Sequence, residues 1–165
     1  MQAAKGKVFK FGEDINTDVI LPGKYLNLQD PAQLALHCME SEDPEFVNKA
    51  KPGDIMVAGK NFGCGSSREQ APVALKNSGI ECIVAKSFSR IFYRSAINIG
   101  LPIIECEEAA REICEGDEVT VDFDSGVITD HTLGKQWQAA AFPAFLQNLI
   151  AAGGLVEYSR AKINK

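Results

Sequence analysis

Three short segments, residues 54–58, 81–85 and 102–106, carry the apolar runs Ile55-Met56-Val57-Ala58, Cys82-Ile83-Val84-Ala85 and Pro102-Ile103-Ile104. Between them lie two stretches with helical periodicity, 67–78 and 88–98. Strands whose apolar residues run on without alternating are buried on both faces, as in a parallel sheet covered by helices. The order strand–helix–strand–helix–strand therefore predicts a βαβαβ unit with right-handed crossovers. Around this core the expectations are local. A first strand covers Val8–Phe11, and 12–29 form a loop rich in turn formers. Asp30-Pro31 opens a helix whose apolar residues are Leu34, Leu36, Cys38 and Met39. Residues 41–53 read as polar connection with one helical turn, and Glu107–Cys114 as a short helix ended by Gly116. Asp117–Thr132 alternates as a hairpin, with Val119, Val121 and Phe123 on one side and a turn at Asp124-Ser125-Gly126. Trp137 falls on a further short strand. Pro143 starts a last helix, Ala144–Ala152, which Gly153-Gly154 stops. The predicted class is α/β: a parallel core plus a smaller antiparallel sheet, with helices packed on the sheets, in a single domain spanning 1–165.

The first crossover carries the densest chemistry. Gly63-Cys64-Gly65-Ser66-Ser67-Arg68-Glu69 follows a predicted strand, at the edge where open α/β sheets bind ligands. Ser66 and Glu69 have the spacing of a capping box, which predicts a helix from about Ser67 with Ser66 as its cap. A helix start with two hydroxyls and a guanidinium suits an anion, because free N–H groups, the dipole and a planar fork all favour negative charge. Other glycine-rich motifs fail on particular residues. A phosphate-binding loop needs a lysine that Gly65-Ser66-Ser67 lacks, and a dinucleotide fingerprint needs glycine where Arg68 stands. A serine-hydrolase elbow needs a histidine partner, and neither His37 nor His131 has a recognisable context. A small carboxylate is the expected ligand.

At 165 residues the chain is long enough to bury roughly 70% of its unfolded surface. With 24% charged residues and a net charge of −5, it carries no basic footprint for nucleic acid or an anionic membrane. No apolar run approaches the roughly 18 residues of a membrane span, and the N-terminus shows no signal-peptide core. Five irregularly spaced cysteines argue against a disulfide framework and for a reducing, cytoplasmic setting. Without a Cys-x-x-Cys pair, metal binding by this chain is not expected. Cys82 reads as core, and Cys64 as a packing residue whose loop position brings its thiol near the site.

The run Gly59–Glu69 resembles the active-site loop of the aconitase superfamily's swivelling domain. Lys86-Ser87-Phe88-Ser89-Arg90-Ile91-Phe92-Tyr93-Arg94-Ser95-Ala96-Ile97-Asn98-Ile99-Gly100-Leu101 is similar to the family's following segment, and Asp14–Leu26 to its N-terminal one. Together they span most of the first two-thirds of the chain, in order. A free-standing chain of this length resembles the family of 3-isopropylmalate dehydratase and homoaconitase-like small subunits.

That resemblance implies a domain that swivels onto a large partner subunit carrying a [4Fe-4S] cluster, and isomerisation of a 2-hydroxy acid by dehydration and rehydration. It implies Ser66 as the base, acting as alkoxide, with Ser67 and Arg68 on the substrate carboxylate and Thr17 and Asp18 shaping the floor. Capping and catalysis are competing roles for Ser66; if it caps, Ser67 is the rival base. Substrate choice is expected from Leu26, Asn27 and Leu28. Relatives handling a second distal carboxylate place arginine where Asn27 stands, so an apolar branch such as isopropyl fits here. Arg90 and Arg94, one turn apart, meet the partner, the substrate or solvent. The isolated chain is open to homo-oligomerisation. Alternatives are a related hydro-lyase acting on citramalate, 2,3-dimethylmalate or homoaconitate, and a non-enzymatic carboxylate-binding module.

Overall fold

Strand β1 (Ala4–Lys10) joins two differently built halves of one sheet. Its second half pairs in parallel with β2 (Ile55–Ala58), Val8 opposite Ile55, and its first half pairs antiparallel with β5 (Glu118–Val121), Ala4 opposite Val121. The computed structural model describes residues 1–164. On the parallel side follow β3 (Cys82–Ala85) and β4 (Ile103–Glu105); on the antiparallel side β6 (Val127–Asp130) and β7 (Lys135–Gln138). The sheet order is β4-β3-β2-β1-β5-β6-β7, so the expected antiparallel part is a continuation of the parallel one through β1. The fold is mixed α/β, and the predicted βαβαβ unit forms its parallel half. Every residue of β2 and β3 is buried, as their non-alternating composition requires.

The helices depart from expectation mainly at their ends. The crossover helix α4 covers Gln70–Asn77, and Glu69 stands at its N-cap without a side-chain cap bond. The Ser66–Glu69 capping box does not form. Within the expected 12–29 loop, Asn16 Oδ1 accepts from Val19 N at 2.8 Å and starts a four-residue helix, α1 (Thr17–Ile20), followed by a 3₁₀ turn at Gly23–Tyr25. Asp30 caps α2 as expected, but α2 is only Pro31–Ala35; Leu36 is 62% exposed while Cys38 and Met39 are buried beyond the helix end. Helices α3 (Phe46–Lys49), α5 (Arg90–Asn98), α6 (Glu107–Glu112) and α7 (Ala144–Ala151) lie where the pattern places them. The last helix is a different one, α8 (Leu155–Ile163). Gly154, at φ +119°, ends α7 and starts α8 in one step, and a Cβ there would overlap the Asn98 carbonyl at the end of α5. Among the described residues no helix is long and apolar enough to cross a membrane.

One buried group in the antiparallel half is poorly satisfied. Asp130 is fully buried; its Oδ1 accepts from Leu133 N at 2.9 Å, whereas Oδ2 has no hydrogen-bond partner among the described residues. Burial, then the neighbouring Asp117 carboxyl, push the Asp130 carboxyl above its usual range. A carboxyl raised in the folded state contributes stability below its ordinary pKa and loses it as pH rises through the raised value. Asp130→Asn keeps the shape and adds a donor beside Asp117, so it is expected to raise stability at pH 7 by about 1–2 kcal/mol and to flatten the decline with rising pH. Urea denaturation of both proteins from acid to neutral pH checks this, and equal curves across that range would contradict it.

Candidate functional site

Beyond the end of β2, the chain continues as a ribbon held on both sides. Asn61 N donates to Ser87 Oγ at 2.8 Å and Phe62 N to Ser87 O at 3.0 Å; Ser89 N returns a bond to Phe62 O at 3.0 Å. On the other side Gly63 N donates to Ile15 O at 2.7 Å and Thr17 N to Cys64 O at 2.9 Å. The segments that follow β1, β2 and β3 are thus stitched side by side, which fixes where the loop goes next. Beneath it, Phe62 meets Phe88 and Phe92 edge-on at centroid distances of 5.9 and 5.2 Å.

Ser89 does two jobs: its Oγ donates to Gly63 O at 2.9 Å and accepts from Phe92 N at 3.3 Å, capping α5. The second crossover helix is thereby anchored to the serine-bearing loop. Gly63 has φ +80°, and a Cβ there would overlap the Phe92 ring.

After Gly65 the chain turns outward. Ser66 and Ser67 are exposed, and the Ser66 carbonyl accepts from Thr17 Oγ1 at 2.8 Å. Thr17 is only 3% exposed, so its hydroxyl acts as a buried tie. Arg68 Nη1 donates to Asp18 Oδ1 at 2.9 Å and to Leu21 O at 3.1 Å. Asp18 Oδ1 also accepts from Gly23 N at 3.0 Å. The hydrogen bond from Arg68 first, then that from Gly23, hold the Asp18 carboxyl below its ordinary range. The Arg68 side chain is 18% exposed and that of Asp18 is 67% exposed. Asp18 therefore orients the guanidinium from its open side and leaves its remaining N–H donors for another anion.

Thr17, Asp18, Ser66, Ser67 and Arg68 stand close together, with Ser66 outside the helix it was expected to cap. The recess there is only about 10 Å³, and its far wall is Ile91 and Ser95 of α5. Neither had been singled out, although their i, i+4 spacing on a helix that starts beside the loop was a readable signal. Leu26, Asn27 and Leu28 do not line it: Leu26 and Leu28 are half-buried against the core, Asn27 is exposed, and Gln70 Nε2 reaches Leu26 O at 3.3 Å. Arg90 and Arg94 border a separate recess with Tyr93 and Glu105. Two larger recesses, about 530 and 520 Å³, lie near Pro52, Glu81 and Leu101 and beside β4. Neither is lined by the loop's hydroxyls or by Arg68, and chemistry outweighs volume in choosing the site. Among the described residues no three His, Cys, Asp or Glu side chains gather to hold a metal. The five cysteines are unpaired, and Cys64 is half-buried with its backbone in the ribbon. Gly63→Ala is expected to cost at least about 2 kcal/mol through positive φ and overlap with Phe92. Denaturation midpoints compared with Gly12→Ala, where a Cβ meets open space, check it.

The aconitase C-terminal domain family matches residues 17–109. Over 158 residues, covering 96% of this chain and 97% of the relative, the chain is 61% identical to the 2,3-dimethylmalate dehydratase small subunit of Eubacterium barkeri. It is 56% identical over 161 residues to the 3-isopropylmalate dehydratase small subunit of Ruminiclostridium cellulolyticum, covering 98% and 99% of the two chains. The crystal structure of 3-isopropylmalate dehydratase from Methanocaldococcus jannaschii superposes with a TM-score of 0.92 at 46% identity, over 98% of this chain and 95% of that one. The chain belongs to the aconitase C-terminal domain family, in its branch of hydro-lyase small subunits.

Proposed function

We propose that this chain is the small subunit of a hydro-lyase that isomerises a 2-hydroxy acid by dehydration and rehydration, with 3-isopropylmalate as substrate. The observation that carries the reading is the Asp18-oriented Arg68 guanidinium beside the exposed hydroxyls of Ser66 and Ser67. Arg68 and Ser67 bind the substrate carboxylate. Ser66, free of the capping role, takes the proton α to that carboxylate. An alkoxide needs a positive surround, supplied here by Arg68 and by the uncapped N-terminus of α4.

A recess of about 10 Å³ is far below the roughly 300 Å³ or more of an ordinary ligand pocket. A large subunit closing over this face would complete the site and exclude water. The described residues gather no ligand set suited to a [4Fe-4S] cluster, and we assign the cluster, with its Lewis acidity, to that partner. Unpaired thiols fit a cytoplasmic enzyme.

The uncharged Leu26-Asn27-Leu28 turn favours a substrate with an apolar branch. The 61% identity to a 2,3-dimethylmalate dehydratase small subunit supports that diacid as a second reading.

The test is reconstitution with a cluster-loaded large subunit. The chain alone is expected to be inactive and free of stoichiometric iron and sulfide, and the mixture active. Ser66→Ala is expected to lower kcat by about 10²–10⁴ without loss of assembly. Normal kcat in Ser66→Ala beside a dead Ser67→Ala would move the base to Ser67. Asn27→Arg is expected to penalise 3-isopropylmalate and favour a longer diacid with a distal carboxylate, because an unpaired guanidinium against an alkyl branch is costly. Unchanged kcat/KM ratios across 3-isopropylmalate, 2,3-dimethylmalate, citramalate and homocitrate would show that this turn does not read the substrate.

A further inference from the structure

The turn that carries Asn27 is tied down at three places, and two of the ties belong to the site already described. Gly23 N bonds Asp18, and Leu26 O is reached by Gln70. The third tie is a side-chain cluster at Tyr25, between them. The Tyr25 ring stacks on the His37 ring, with centroids 3.7 Å apart and planes 8° from parallel. His37 Nδ1 lies 3.0 Å from Glu40 Oε2. Lys24 Nζ sits over the Tyr25 ring at 5.2 Å. The nearby Glu40 carboxylate raises the Tyr25 phenol's pKa; burial pushes the Glu40 carboxyl up, but Tyr25 and His37 outweigh it and hold that carboxyl below its ordinary range.

Local backbone geometry makes this cluster possible. Helix α2 ends at Ala35, so the chain is free to turn before His37 and Glu40 are reached. Met39, buried, adopts φ +61° and donates its N–H to Ile20 O at 2.8 Å. A non-glycine residue held in the left-handed region is one that surrounding contacts over-determine. Here those contacts bring the Glu40 carboxylate back onto His37, whose ring stacks on Tyr25, and Met39 itself onto the end of α1, the helix that carries Asp18.

We propose that His37 and Glu40 are positioning residues for substrate choice: they clamp Tyr25 and thereby hold the Gly23–Leu28 turn in one conformation, with Asn27 exposed outside the small recess, where a substrate's variable group would meet it once the large subunit completes the site. The inference rests on the proposed reading of that turn as the specificity element. His37 and Glu40 touch no reacting atom in this account. They act through Tyr25, so disturbing them changes which diacid is preferred more than how fast the bound one reacts.

The experiment uses the complex reconstituted with the large subunit, with 3-isopropylmalate and citramalate as probes, and the variants His37→Ala and Glu40→Gln, singly and together. In His37→Ala and Glu40→Gln the ratio of kcat/KM for the two diacids is expected to fall about tenfold, carried by KM for 3-isopropylmalate, with kcat within about threefold. His37→Phe, which keeps a stacked ring, is expected to restore part of the ratio. His37→Ala and Glu40→Gln are expected to be non-additive, since both loosen the same clamp on the Tyr25 ring. Amide exchange in the full-length chain supplies a readout that needs no substrate: Tyr25, Leu26 and Leu28 are expected to exchange faster in His37→Ala and Glu40→Gln. Equal losses on both diacids, additive effects, or unchanged exchange across the turn would overturn the clamp. A wild-type complex that turns over neither diacid would defeat the functional reading instead, and the exchange measurement would still decide the clamp.

Discussion

The site depends on a hydrogen-bonded ribbon that outlasts the sheet. Strands β1, β2 and β3 end, yet the segments after them stay paired at Ile15–Gly63, Cys64–Thr17 and Phe62–Ser89. Without those bonds, Ser66, Ser67 and Arg68 would sit on a free loop, and loops left to water sample many conformations. With them, the hydroxyls inherit the rigidity of the parallel core. Asp18 and Arg68 then close the arrangement laterally, from segments that are remote in sequence. Ser89 ties in the second crossover helix, so Ile91 and Ser95 stand opposite the loop.

The parallel core was legible because its signal is long-range in composition and simple in physics: strands buried on both faces cannot alternate, and β2 and β3 do not. The hairpin at β5 and β6 was legible from the opposite pattern. The candidate site was legible as a set of residues, since Ser66, Ser67 and Arg68 are dense in chemistry and Thr17 and Asp18 follow from the resemblance. Its geometry was not. The Ser66–Glu69 spacing is a sound local rule, but Thr17 Oγ1 holds the Ser66 carbonyl and Asp18 holds Arg68, and these tertiary ties keep residues 66–69 out of the helix. Short helices such as α1 escaped because four residues carry no period, and α8 because a Gly-Gly pair signals a stop without saying that another helix follows. His37 looked uninformative because its partners, Tyr25 and Glu40, are chosen by how the chain turns after α2 rather than by any motif.

Charge at this face is oriented without being enclosed. Arg68 is oriented by Asp18 but not enclosed, and the neighbouring serines point outward. A guanidinium oriented in advance loses less freedom on meeting a carboxylate than one that must be collected from solvent. The same preorganisation suits a face closed only in the assembled enzyme, because little has to rearrange at the moment of closure.

Strand β1 has a temporal consequence as well as a spatial one. Its second half can pair with β2 as soon as residues near Ile55 exist, but its first half must wait for Val121. During synthesis the parallel half, with the serine loop, can condense while the Ala4–Lys7 edge is still open. An unpaired strand edge invites pairing with other chains, and contacts distant in sequence form late. A chain with its parallel half formed and β5 still unpaired would present that strand edge to its neighbours. Lys5 and Lys7 put two exposed charges on that flank, and charge on an unpaired strand edge discourages self-association.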